Sequence, residues 1–349
     1  MSSKHISVFA DLTLEDRPHV GGKGGSLGEL TRAGIDVPPG FVVRTESFEH
    51  FIQALEREAP FRARVQGLDP NDLDAITAVS RELRARVEAA ELPQDLKTEI
   101  LAAHAALGSA GKTPIVAVRS SATTEDASDA SFAGLQDTYL WVMDPADMLH
   151  KIRSCWASLY SVESVSYRLR HAFPENEVAM AVVVQVMVDA RTAGVMFTRS
   201  PTTGDRSVIT IEGAWGLGSA VVGGEVTPDR WVVAKITGEI PVRDISDKAI
   251  RHAPAAGGGI EDVHVEEALR REPCLSDEEL QALRAIGRKV ERRYGRPQDI
   301  EGAVDRHTNR ILLLQSRPET VWSNKEAMPA ATKAEDPLQH VMSIFGGRK

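Results

Sequence analysis

Pro114-Ile115-Val116-Ala117-Val118-Arg119-Ser120-Ser121-Ala122-Thr123-Thr124-Glu125-Asp126, followed by Ser131-Phe132-Ala133-Gly134-Leu135-Gln136-Asp137-Thr138-Tyr139, decides the reading of this chain. An apolar, β-branched strand delivers one arginine and then breaks into hydroxyls, small residues and a glycine. That order presents a cation and free backbone N–H groups side by side, which suits phosphate oxygens.

Upstream, Val20-Gly21-Gly22-Lys23-Gly24-Gly25-Ser26-Leu27-Gly28-Glu29-Leu30 is a glycine-led entry into a short helix that stops near Gly34. Pro38-Pro39-Gly40 turns into the strand Phe41-Val42-Val43. From Thr45 to about Leu107 the pattern is helical: Phe48, Phe51, Ile52 and Leu55 form one stripe, with Leu83, Val87, Leu96 and Ile100 in others. Downstream, Tyr139 to Val142 reads as a strand and Asp147 to about Arg170 as helix. The aliphatic run Met180 to Val188 predicts a buried strand, with Gln185 its one amide. Gly194 to Thr198, Val208 to Glu212 and Asp229 to Ala234 are further strands, and Ala255 to Gly259 reads as a flexible connector. A helix from Ser276 to Tyr294 opens on a capping box, Ser276 with Glu279.

Near the end, Gln298-Asp299-Ile300-Glu301-Gly302-Ala303-Val304 and Arg310-Ile311-Leu312-Leu313-Leu314-Gln315-Ser316-Arg317-Pro318-Glu319 flank a polar turn, the pattern of a hairpin. A turn centred on Thr308 sets Glu301 opposite Gln315 and Asp299 opposite Arg317, all on one face. Opposed Cβ atoms lie about 4.5–5.5 Å apart. Two oxygen donors at that spacing can share a hard cation such as Mg²⁺, with Arg317 offsetting phosphate charge beside it. A surface hairpin laced by salt bridges is the other reading of these residues.

Composition bounds the function. At 349 residues the chain has room for two domains or one bilobal domain. Hydrophobic content of 42% and charge of 26% are those of a globular protein without long disorder. A net charge of −9 argues against a nucleic-acid surface while leaving room for a local positive pocket. Cys155 and Cys274, far apart and without metal-ligand spacing, predict buried free thiols in a reducing compartment. The longest apolar run is about half the ~20 residues of a membrane span, and no signal-peptide pattern opens the sequence. The expectation is a cytoplasmic protein with neither nucleic-acid nor membrane partner.

From Val20 to about Trp322 the chain resembles the ATP-binding domain shared by phosphoenolpyruvate synthase, pyruvate phosphate dikinase and rifamycin phosphotransferase, with four well-separated motifs in the family order. The resemblance implies an α+β, ATP-grasp fold with two lobes and the nucleotide between them. Residues 1–180 would form the N-terminal lobe with a helical insertion and phosphate loop, 181–322 the C-terminal lobe with a metal-binding hairpin, and 323–349 a tail. ATP and Mg²⁺ are the implied bound species. Carried over residue by residue, the metal ligands fall on Glu301 and Gln315 and a phosphate-binding arginine on Arg317. The other nucleotide contacts fall on Lys23, Arg119, Gly134, Thr138 and Gln185. Lys23, Arg119 and Arg317 are the expected catalytic cations. Lys23 joins a cation to a helix start, Gly134 permits close backbone approach, Thr138 offers a hydroxyl and Gln185 an adenine-reading amide. Residues Ser131 to Thr138 would serve as a lid. One position departs from the family: Ser219 stands where it usually has Glu.

In the resembled family ATP is cleaved to AMP and phosphate while a histidine on a mobile domain takes the β-phosphoryl group. None of the ten histidines here lies in a Thr-x-His-Ala type of segment. The expectation is therefore the ATP-binding subunit of a split phosphotransferase, with a separate phosphohistidine-domain subunit as partner and a small-molecule acceptor bound elsewhere. Phenylphosphate synthase has that organisation, which makes phenol the expected acceptor. The alternatives are the ATP domain of a phosphoenolpyruvate synthase or rifamycin phosphotransferase relative, and a non-catalytic nucleotide-sensing module. In the tail, Leu338, Val341, Met342 and Phe345 recur at helical spacing, a short amphipathic helix that either docks a partner or packs on its own lobe.

Overall fold

The computed structural model of the protein describes residues 4–108, 111–123, 137–320 and 322. Gly134, most of the expected lid and the expected tail helix lie outside these residues. Strand β1 (Ile6–Val8) leads into helix α1 (Arg17–Arg32), which breaks at Gly21, where φ is 70°. A Cβ at Gly21 would lie 2.2 Å from the Ser121 carbonyl oxygen, so only glycine fits this kink. Lys23 therefore does sit near a helical restart, as the glycines predict, although the helix itself begins earlier, at Arg17. Strand β2 (Gly40–Val43) follows, then α2 (Thr45–Glu58), α3 (Arg62–Gln66), α4 (Leu73–Ala89) and α5 (Gln94–Leu107).

The arginine-bearing strand β3 (Val116–Ala122) does not end at Arg119 as its sequence suggests. It runs on through Ser120 and Ser121, whose hydroxyls donate to the carbonyls of Asp137 and Val20. Those two hydroxyls hold the fold together instead of facing a ligand. Strand β4 (Thr138–Val142), helices α6 (Pro145–Ser158) and α7 (Val162–Arg170), and strand β5 (Met180–Val186) complete the first body.

Its antiparallel sheet has the order β1-β2-β5-β3-β4. The unbroken aliphatic content of β5 follows from burial on both faces. Met180, Val182 and Val184 enter the core beneath α2 to α7, whereas Ala181 and Val183 pack against Val20 and Leu27 of α1. The tryptophans behave as packing residues here: Trp156 is fully buried, stacks on Phe51 and donates to the Met180 carbonyl.

The second body begins at β6 (Ala190–Phe197) and continues through β7 (Val208–Trp215), α8 (Ser219–Val222), β8 (Asp229–Ala234) and β9 (Val242–Asp244). Strands β10 (Ile250–Pro254) and β11 (Ile260–His264) pair as a hairpin, so the segment read as a flexible connector is its turn, closed by Ala255 N–H on the Gly259 carbonyl. Helix α9 (Glu267–Arg270) precedes α10 (Asp277–Tyr294), which has the expected capping box and ends at Gly295 in the left-handed region. Strands β12 (Gln298–Asp305) and β13 (Ile311–Pro318) close a six-stranded antiparallel sheet, order β13-β12-β6-β7-β8-β9. The chain crosses between sheets at 187–189, beyond the 180/181 divide expected from the sequence, because β5 is the central strand of the first sheet.

Helix α1 belongs to both bodies. Ser26 donates to the Ser316 carbonyl at 2.5 Å, Tyr294 to the Ser26 carbonyl, and Glu29 pairs with Arg293. Leu30 and Ile35 are buried within the core of the second sheet, beside Leu283 and Val290 of α10. Among the described residues no helix is long and apolar enough to cross a membrane. Both cysteines are free and buried.

Candidate functional site

Strand alternation brings the site together. Val116 and Val118 enter the helical core, so Ala117 and Arg119 face the other way, on the side that carries α1. Gln185 pairs with Ala117, and Thr138 pairs with Arg119. Beyond the reach of α1 this face is open. Opposite it stands the second sheet, whose hairpin has the register read from the sequence: Glu301 opposite Gln315 and Asp299 opposite Arg317. Between the sheets lies a cleft of about 540 Å³ lined by Lys23, Arg119, Thr138, Gln185, Glu301, Gln315 and Arg317, among others. These are all the expected site residues except Gly134, which is outside the described residues.

The register then shifts in a way the sequence does not announce. Gly302 pairs with Leu313, so Leu314 is skipped as a bulge immediately after the Glu301–Gln315 pair. The Leu314 carbonyl accepts from Arg119 Nη1 at 2.9 Å. Arg119 Nη2 donates to Glu301 Oε2 at 3.2 Å and to Gln315 Oε1 at 2.5 Å. One buried guanidinium thus latches the two sheets through three acceptors. Sequence reading assigned Arg119 to phosphate and Glu301 with Gln315 to a metal; that they meet one another was not legible from it.

The same contacts test the pair as a cation site. A carboxylate and an amide oxygen from opposed strands converge on one positively charged nitrogen, and both are hard donors of the kind Mg²⁺ prefers. The residues fit the ion, which would compete with Arg119 for both oxygens.

Lys23 is 5% and Gln185 2% exposed, with Gln185 Nε2 donating to the Pro38 carbonyl at 3.3 Å. Thr138 and Arg317 lie at the exposed rim. Leu140, Met187, Val188, Leu217 and Leu314 add an apolar wall that the sequence did not single out. Met187 and Val188 looked like the end of a buried strand; β5 stops at Val186 and they turn into the cleft instead. Ser219 also lines the cleft, its Oγ 2.7 Å from His252 Nδ1.

Asp299 is strained electrostatically. Its Oδ1 is buried without a hydrogen-bond partner, and Arg317 Nε is 3.6 Å from Oδ2. Burial pushes the carboxyl up to about 6 against the pull of Arg317, and the Glu319 charge adds to the rise. A carboxyl raised in the folded state opposes folding above that value, and the penalty fades as pH falls from about 6 toward the ordinary 3.8. Asp299→Asn is therefore expected to stabilise the protein at pH 8 by roughly 3 kcal/mol. The gain should shrink toward zero by pH 4, and denaturant titrations of both proteins at the two pH values check it.

The chain matches the family described as pyruvate phosphate dikinase, AMP/ATP-binding domain, over residues 17–337. It is 42% identical over 319 residues to a probable phosphoenolpyruvate synthase of Methanothermobacter thermautotrophicus, covering 91% of this chain and 46% of that protein. A probable phosphoenolpyruvate synthase of Archaeoglobus fulgidus is 42% identical over 339 residues, 97% of this chain and 44% of its own. A phosphoenolpyruvate synthase of Pyrococcus furiosus is 35% identical over 376 residues, 96% of this chain and 46% of its own. The chain belongs to the AMP/ATP-binding domain family of pyruvate phosphate dikinase. It spans less than half the length of these curated relatives.

Proposed function

We propose that the chain is the ATP-cleaving part of a phosphoenolpyruvate synthase-type phosphotransferase, and that its two sheets are the lobes of an ATP-grasp fold closing on the nucleotide. The observation that carries this reading is the convergence on one cleft of seven residues drawn from positions 23 to 317. Family membership supports the nucleotide, and the names of the relatives favour phosphoenolpyruvate as the eventual product over phenylphosphate. A sensing module without chemistry is disfavoured, because both arginines and both oxygen donors stand at the cleft together.

In this reading the adenine lies on the apolar wall, where Leu140, Met187, Val188 and Leu217 exclude water and Gln185 offers its amide to the base edge. Lys23, on α1, and Arg317, on β13, both reach the phosphates. Arg119 exchanges its protein acceptors for phosphate oxygens and neutralises charge as it develops. The Thr138 hydroxyl donates at the rim. Magnesium held by Glu301 and Gln315 would screen the phosphate oxygens. Water takes the γ-phosphoryl group, released as phosphate, and the β-phosphoryl group passes to a histidine on another domain or subunit, leaving AMP.

The test is incubation with Mg²⁺, ATP labelled at the β-phosphorus and a purified phosphohistidine domain of a phosphoenolpyruvate synthase. Label on the histidine together with AMP supports the reading. ADP as the sole nucleotide product, or no turnover, overturns it.

A further inference from the structure

A second cluster of ligating side chains lies away from the cleft residues, where the segment entering β1 meets α2 and α5. His5 Nε2 is 3.5 Å from Asp95 Oδ2, and His50 Nε2 is 3.3 Å from Asp95 Oδ1. The two imidazoles are stacked, with centroids 5.4 Å apart and planes inclined by 24°, so both present Nε2 to the same carboxylate. The three ligand atoms lie within 4.8 Å of one another. Asp95 is in the first turn of α5, and Glu99, one turn on, accepts from the His5 backbone N–H at 3.4 Å.

The Ser47 hydroxyl selects between the two tautomers of His5. The Ser47 hydroxyl has one proton and donates it to the His5 carbonyl at 3.1 Å. With its proton on that carbonyl, Ser47 Oγ, 3.2 Å from His5 Nδ1, accepts, and the tautomer that matches carries the ring proton on Nδ1. In the neutral ring Nε2 then bears a lone pair and points it at a carboxylate oxygen. Two lone pairs facing each other at this range repel, unless a cation lies between them. A ligating histidine typically donates its other N–H to a fixed acceptor, as Nδ1 does here to Ser47. The N···O separations of 3.5 and 3.3 Å, one to each Asp95 oxygen, are close to the edge of a tetrahedron about Zn²⁺, about 3.3 Å for bonds of about 2.0–2.1 Å. The other cluster of this kind among the described residues, Glu225, His252 and Asp262, contains no such conflict, because Ser219 can donate to His252 Nδ1 and leave Nε2–H for the carboxylates.

We propose that His5, His50 and Asp95 bind a divalent first-row transition metal, with Zn²⁺ best matched to two imidazoles and one carboxylate. Glu99 or water completes the shell. The ion fastens the segment entering β1 to α2 and α5 at the edge of the first sheet. Nothing in this proposal depends on the nucleotide reading.

The test uses the full chain stripped with chelator, titrated with Zn²⁺ by calorimetry and with Co²⁺ by visible absorption. One equivalent of Co²⁺ should give ligand-field bands that Zn²⁺ displaces. Zn²⁺ affinity should fall at least tenfold in His50→Gln and in Asp95→Asn, both at partly exposed positions. It should fall about tenfold or more in Ser47→Ala, which touches no metal but frees the His5 ring. His252→Gln should bind as the parent does, and metal-free unfolding midpoints of the His50 and Asp95 variants show that they fold. Absence of the Co²⁺ bands, or a loss below tenfold in either ligand variant, overturns the metal site and leaves a second ring proton as the resolution of the conflict.

Discussion

Arg119→Met is expected to weaken ATP binding at least a hundredfold, about 2.7 kcal/mol. The side chain is 10% exposed and reaches from β3 to three acceptors on β12 and β13, so no neighbour can take over its position. Arg119→Lys should fail almost as badly, since one ammonium cannot replace a planar fork that addresses several oxygens at once. Calorimetry with ATP and Mg²⁺ reads the effect. Glu301 is a third exposed and remains hydrated without its partner, but Gln315 and the Leu314 carbonyl lose their donor, so the unfolding midpoint should fall as well and affinity is read well below it. Affinity within tenfold of the parent would remove Arg119 from the nucleotide site.

The largest stability loss should come from a pair far less conspicuous in the sequence. Lys248 Nζ and Asp229 Oδ1 are 2.6 Å apart, and both side chains are fully buried. Asp229 also accepts from the backbone N–H groups of Ser246 and Cys274, so it ties β8 to the loop before β10 and to the approach to α10. Lys248→Met strands a buried carboxylate and is expected to cost about 3–5 kcal/mol in urea unfolding. Lys248→Met with Asp229→Asn should recover part of that loss, because no uncompensated charge is left. A single-variant cost below about 1 kcal/mol would show that the pair is solvated.

The hairpin register was readable because a short polar turn leaves few ways to pair Gln298–Val304 with Ile311–Pro318, and because side chains alternate with period two. The helices from Thr45 to Leu107 were readable from their apolar stripes: Phe48, Phe51, Ile52 and Leu55 are all buried. The skipped residue at Leu314 was not, since the bulge answers to an arginine 195 positions away in the chain. Nor was the use of Ser120 and Ser121. A hydroxyl bonded to the Val20 carbonyl and one offered to phosphate are the same letter in the sequence. Lys248 carried no signal at all: its neighbours give no periodicity, and its partner lies on another strand. Likewise Met187 and Val188 have the composition of the strand they leave, so their turn into the cleft is decided by the gap between sheets.

The double allegiance of α1 limits how this protein can be taken apart. Leu30 and Ile35, supplied from the first forty residues, fill the hydrophobic interior under α10. A fragment beginning at Ala190 would keep all six strands of its sheet and yet expose the floor on which those two side chains rest. Such a half is expected to be recovered as aggregate when expressed alone, and to become soluble only when residues 4–36 are supplied in trans.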